Sequence, residues 1–160
     1  MPRFCFDSNV LIQAKNGPYP FEIFPAFWNW FGDQIKSGTV YSSYFVYDEL
    51  IRYDDELSEW VKEYKELFLE PDENVQKKYA EIVNQVQQSD CPSANIDKFL
   101  AGADPWIIAH ALVATDVLVT HEKRVGADSK KIKIPNICDT FGSVECIDTY
   151  QLLKRLSARL

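Results

Sequence analysis

Five short runs of strand-forming residues, each three or four long, set the tightest limit on how this chain can fold: Arg3–Phe6, Thr39–Tyr41, Val117–Thr120, Ile132–Ile134 and Glu145–Ile147. Most are separated by segments with helical period, and short buried strands alternating with helices predict a parallel α/β sheet rather than hairpins. Helices are expected over Val10–Ala14, over the aromatic stripe Phe21–Ile35, from Ser43 through Arg52 and on into an acidic helix, and over Glu73–Gln87, whose polar length suggests a surface element. A helical turn is expected at Ile96–Leu100, the most apolar helix runs from Asp104-Pro105 through Val113, and Thr149–Leu160 finishes as an amphipathic helix. At 160 residues the chain is expected to form one domain, 1–160, large enough for a real core.

Charge narrows the function classes. The formal net charge is -7, which argues against gripping nucleic acid by bulk positive charge. The excess is uneven: residues 1–122 carry 9 basic and 20 acidic residues, whereas residues 123–160 carry 8 and 4. Eleven acids lie between Asp48 and Glu73, where a solvated helix accounts for them. The four cysteines form no CxxC pair and read as reduced thiols rather than a zinc site. No apolar run is long enough to span a bilayer, and Met1-Pro2-Arg3-Phe4 opens no signal peptide, so a cytoplasmic protein with no membrane partner is expected.

Ligands of open parallel sheets bind beyond the carboxyl ends of the strands. That rule selects four acids. Asp7 follows the first strand, Glu49 lies on the helix after the second, Asp104 opens the apolar helix, and Glu122 comes just after the third strand. Each has an ordinary alternative: Asp7 as a helix N-cap, Asp104 as the cap before Pro105, Glu49 and Glu122 as solvated surface residues. As a set, four carboxylates on one rim would repel one another unless a cation sat among them, and all-oxygen ligation selects Mg²⁺ or Mn²⁺.

The segments FDSNVLI (6–12), Glu49-Leu50, ADPWIIAHA (103–111) and VLVTHE (117–122) resemble, in order and spacing, those of PIN domains, which are metal-dependent ribonucleases best known as the toxin halves of toxin–antitoxin pairs. Segments such as YPFEIFPAFW (19–28) and KIPNICD (133–139) extend the resemblance over nearly the whole chain. It implies a three-layer α/β/α sandwich around a central parallel sheet. It also implies an RNA-cleaving endonuclease leaving 3′-hydroxyl and 5′-phosphate ends, and an antitoxin protein as partner. Carried over by position, Asp7, Glu49, Asp104 and Glu122 are the catalytic and metal-binding acids, with Asn9 and Thr120 supporting them. Glu122 departs from the family, which more often has Asp there, and Asp48 is the substitute for Glu49 should the helix phase differ.

Further candidates are His121 as a phosphate ligand or proton shuttle, Lys15, Lys123 and Arg124 as phosphate contacts, and Trp28, Trp30 and Trp106 as base-stacking rings. Lys130, Lys131 and Lys133 form a basic patch expected outside the rim, and His110 is expected to be structural. Aromatics between Tyr19 and Trp30 offer a docking surface for an antitoxin or for a second copy of the chain. The rival class is a catalytically silent PIN-like interaction module. A third reading, phosphoryl transfer through Asp7, lacks the second Asp two residues on, where Asn9 stands.

Overall fold

The computed structural model describes residues 1–142 and 144–160. Four parallel strands, β1 (Phe4–Phe6), β2 (Val40–Tyr41), β3 (Val117–Val119) and β4 (Cys146–Ile147), form one sheet in the order β2-β1-β3-β4. Helices flank it as an α/β/α sandwich: α1 (Ser8–Asn16), α2 (Pro25–Lys36), α3 (Tyr44–Ile51), α4 (Glu56–Lys62), α5 (Glu73–Gln87), α6 (Ser93–Ala101), α7 (Asp104–Ala114), α8 (Ile134–Phe141) and α9 (Thr149–Arg155). β1 and β3 are buried along their whole length, as expected of strands covered on both faces. From β1 the chain crosses first to β2 on one side and later to β3 on the other. The topological switch point therefore lies at the carboxyl ends of β1 and β3, immediately before Asp7 and Thr120.

α7 explains its own apolar sequence. It buries Ile107, Ile108, Ala109, His110 and Ala111 while packing against β1, β3, α5, α6 and α8, so it needs no polar face. The polar helix α5 is less peripheral than its composition suggests: Val75, Ile82 and Val86 form a buried stripe laid on α7. On the other side, Phe27, Trp28 and Phe31 of α2 meet Phe6 and Trp60 in an aromatic cluster with edge-to-face pairs at 5.1–6.4 Å.

Three elements differ from expectation. Ile132–Ile134 is not a strand: Lys133 is the N-cap and Ile134 the first residue of α8, because Pro135 suits a first helical turn and would interrupt a ladder. Among the described residues the sheet thus has four strands, with the Glu145–Ile147 run supplying the last as Cys146–Ile147. The aromatic helix begins only at Pro25, while Phe21 lies before it and stacks on Trp28 at 3.9 Å. The acidic stretch is α4 followed by a 3-10 turn, Lys65–Leu67, rather than one long helix.

Gly32 marks a close approach inside α2. A Cβ there would stand 2.1 Å from the Tyr64 hydroxyl and 2.8 Å from its Cζ. Gly→Ala in a helix ordinarily stabilises by roughly 1 kcal/mol. Here Gly32→Ala is expected to destabilise by about 1–3 kcal/mol through overpacking, read as a lower urea midpoint at unchanged m-value.

Candidate functional site

Parallel register places the first contact of the site. Phe6 pairs with Val119, so the next residues, Asp7 and Thr120, leave adjacent strands side by side, and the Thr120 hydroxyl donates to Asp7 Oδ2 at 3.0 Å. The same hydroxyl accepts from the Glu122 backbone N–H at 3.1 Å. Asp7 is buried, 1% exposed, and also serves as the N-cap of α1, its Oδ1 accepting from the Asn9 N–H at 3.3 Å. Capping and facing the site are therefore compatible roles for one carboxylate.

Glu49 reaches the same place from α3. Its Oε1 accepts from the Ala103 N–H at 2.8 Å, at the start of α7, and its Oε2 accepts from the Ser8 hydroxyl at 3.0 Å. A Cβ on Gly102 would stand 3.3 Å from that Oε1, so the absence of a side chain there leaves room for the carboxylate. Asp48 points elsewhere and pairs with Arg52 at 2.6 Å. Ser8, which stands outside the candidates the strand-end rule selects, joins them: its buried hydroxyl touches both Glu49 and, at 3.4 Å, Asp7 Oδ1.

Asp104 is not the cap of α7, since Ala103 occupies that position and Pro105 follows Asp104 in the first turn. Among the described residues its carboxylate takes part in no hydrogen bond or ion pair. Burial first, then the negative charges of Asp7, Glu122 and Glu49, push its carboxyl up to about 8, against a partial offset from Lys133. Burial likewise raises Asp7, to about 6, with hydrogen bonds from Asn9 and Thr120 holding it down and the charges of Glu122 and Glu49 adding to the rise. The four acids thus sense one another electrostatically across one rim.

Glu122 Oε1 accepts from the Ile134 N–H at 2.8 Å and so satisfies a free amide at the start of α8. That reach accounts for glutamate here, because an aspartate is one methylene shorter. Glu122→Asp is expected to lose about 1 kcal/mol of stability as this cap is released, read by urea denaturation.

Glu49, Asp104 and Glu122 line an open cleft of about 790 Å³ together with Arg52, Lys98, Lys131 and Lys133, whereas the buried Asp7 and Thr120 are not among its lining residues. Asn9 lines it too, exposed and beside Ser8. Lys131 and Lys133 therefore stand on the rim rather than outside it. Lys15 does not: it pairs with Asp55. Arg124 is bound by Asp139 through two contacts of 2.6 and 2.9 Å. His121 is held by Thr149 at 2.8 Å, and burial lowers its affinity for a proton. Trp28 is core, Trp30 packs against the core, and Trp106 is sandwiched between Phe45 at 4.6 Å and Tyr79 at 3.7 Å, so its ring faces are taken.

The donor set is all oxygen, negatively charged and set beside cations, which suits a hard divalent ion. Among the described residues, however, no three His, Cys, Asp or Glu side chains converge closely enough to enclose one as they stand. Glu49 and Glu122 each spend an oxygen on a backbone amide, that of Ala103 and that of Ile134.

Nine chains of known structure match this fold. One, from the crystal structure of VapBC2 from Rickettsia felis bound to a DNA fragment from their promoter, aligns with a TM-score of 0.53 at 14% identity, over 91% of this chain and 97% of that one. No curated protein matches the sequence. Among the described residues no helix is long and apolar enough to cross a membrane. Residues 4–160 match the family described as "Domain of unknown function (DUF4411)", and the chain belongs to that family and has a PIN-like fold.

Proposed function

We propose that the protein is a metal-dependent endoribonuclease, working as the toxin of a toxin–antitoxin pair. The observation that carries this is the cleft itself: mutually repelling carboxylates beside a cationic rim at the switch point of a parallel sheet. Asp7 and Asp104 would hold Mg²⁺ or Mn²⁺, with Glu49 and Glu122 engaging it directly or through water. When bound, such an ion supplies charge neutralisation at the phosphate and a water acidic enough to attack it.

The remaining work falls to the chain's own residues. Thr120 fixes the orientation of Asp7. Ser8 and the Ala103 N–H fix Glu49, which in turn braces the start of α7 and so the position of Asp104. Lys98, Lys131 and Lys133 attract and seat the RNA backbone, each as a point charge on a phosphate. The toxin role and its antitoxin partner rest on the fold shared with the VapBC2 chain. The exposed Ile23 and Phe24, at 64% and 41%, are a surface that such a partner or a second copy would cover.

A second reading is favoured by one fact, the commitment of Glu49 and Glu122 to backbone amides: a PIN-like module that binds a partner without turnover. One experiment separates the two. Incubated with a labelled RNA oligonucleotide and MnCl₂, the purified protein is expected to produce fragments with 5′-phosphate ends, and EDTA is expected to stop the reaction. Absence of cleavage together with no heat of Mn²⁺ binding in calorimetry would sink the nuclease reading.

A further inference from the structure

Packing takes the tryptophans out of contention as base-stacking rings, yet the acidic cleft carries an aromatic side chain of its own. Tyr53 lines it and is 63% exposed. Among the described residues it is the one exposed large apolar side chain that does so, since the cleft's other aromatic residue, Phe99, is buried. Within the same residues the Tyr53 side chain enters no aromatic pair and no hydrogen bond. A single exposed apolar side chain is ordinary on a protein surface. What sets Tyr53 apart is where it stands.

α3 accounts for that placement. Its backbone stays right-handed helical through Arg52, so Glu49 and Tyr53, four residues apart, fall on one face about one turn from each other. Asp54 then ends the run in left-handed backbone, φ 47°, a conformation that aspartate tolerates. The same cleft supplies positive charge. Arg52 is tied to Asp48 at 2.6 Å, but Lys98, Lys131 and Lys133 enter no ion pair among the described residues. An open ring beside unpaired cations matches the alternating chemistry of a nucleotide chain, whose bases stack on aromatic faces while its phosphates meet the positive groove.

We propose that Tyr53 is a base-stacking platform, its ring taking the base of a nucleotide that flanks the phosphate held in the acidic cleft. The proposal rests on the nuclease reading for its RNA substrate. Every base has a π-face, so the ring fixes the register of the strand over the acids rather than the identity of a base. Tyrosine suits this task because its large, rigid side chain loses little conformational freedom on contact. Tyr53 is thus a positioning residue: it sets which phosphate comes to rest beside Asp104 and Glu49.

Anisotropy of a labelled, unstructured RNA oligonucleotide on the full-length Asp104→Asn protein in MnCl₂ reads binding apart from cleavage. Tyr53→Ala is expected to weaken binding about tenfold, whereas Tyr53→Phe, which keeps the ring, stays within about twofold of its parent. Because the position is exposed, both variants should keep the parent's urea midpoint. In oligonucleotides carrying one abasic nucleotide, a loss of similar size is expected at a single position. There Tyr53→Ala should cost nothing further, because ring and base belong to one contact. Equal binding by Tyr53→Ala, a loss in Tyr53→Phe as large as in Tyr53→Ala, or losses that add at every abasic position would each overturn the platform and leave the nuclease reading intact. A ring-dependent, single-position loss in a protein whose unsubstituted form cuts no RNA would keep the platform and remove the nuclease reading. No RNA binding by the parent protein would overturn both and leave the ring as a contact for a protein partner.

Discussion

Asp104→Asn is expected to reduce manganese-dependent RNA cleavage by at least about 100-fold, since removing even outer partners of a catalytic metal costs about 10–100-fold. The substitution removes the one site carboxylate that none of the described hydrogen bonds engages, so no scaffold contact is lost with it. Asp7→Asn is expected to have a similar effect on cleavage. There the fold is protected by chemistry rather than by idleness: asparagine is as good an N-cap as aspartate, and its amide oxygen can still accept from the Asn9 N–H. The Thr120 hydroxyl can turn from donor to acceptor toward the new NH₂ group. Single-turnover cleavage of a labelled oligonucleotide, with circular dichroism to verify folding, measures both variants. Undiminished cleavage by the folded Asp7→Asn/Asp104→Asn protein would remove these residues from the mechanism.

The second large effect concerns the metal-free protein and pH. Burial and neighbouring acids raise Asp104 from 3.8 to about 8 and Asp7 to about 6, so the folded state binds protons more tightly than the unfolded chain. Stability from these groups is fully present below pH 3.8 and is lost as pH rises through each folded value. His110 works in the opposite direction. Burial lowers it from 6.5 to about 4, so the unfolded chain takes up its proton first, and stability from His110 is lost as pH falls from 6.5 toward 4. The two influences overlap in mild acid, but between pH 6.5 and 8 Asp104 stands alone among them. Over that interval the metal-free protein is expected to lose about 2 kcal/mol of unfolding free energy, close to one proton's worth of slope. Asp104→Asn should flatten the slope, and saturating Mn²⁺ should flatten it as well, because an ion stabilises the charged carboxylates. Urea titrations at pH 6.5, 7.2 and 8.0, with EDTA and with MnCl₂, give all three comparisons. A metal-free stability that rises across this range would contradict the raised carboxyl of Asp104.

Sequence and structure agree where one physical signal dominates, and they part where tertiary placement decides. α5 spans the expected Glu73–Gln87, and Asp72 caps it by accepting from the Val75 N–H at 2.9 Å. β1 and β3 were legible as apolar runs ended by polar residues. The run Ile132–Ile134 misled because two β-branched residues in three outweighed Pro135, the residue that marks a helix start. The positions of Asp7, Glu49, Asp104 and Glu122 along the chain could be read from the strand-end rule. Their hydrogen bonds could not, since whether Glu49 meets the Ala103 amide depends on how α3 and α7 pack. The same holds for the cations. Lys15 and Lys133 look alike in sequence, yet one is bound to Asp55 where α1 meets α4 and the other lines the cleft at the start of α8, outcomes that tertiary packing sets.

The Asp7–Thr120 hydrogen bond joins residues 113 positions apart, and the Glu49–Ala103 bond joins residues 54 apart. A growing polypeptide leaving the ribosome therefore lacks the acidic rim for most of its synthesis. Asp7 emerges first and waits for the strand that will orient it, and Glu122 finds its amide only once Ile134 has appeared. Contacts of such long sequence separation also form late and slowly in refolding. The chemistry of this chain is thus gated by completion: a fragment ending before β3 carries Asp7, Glu49 and Asp104 but neither Thr120 nor Glu122, and so no complete site.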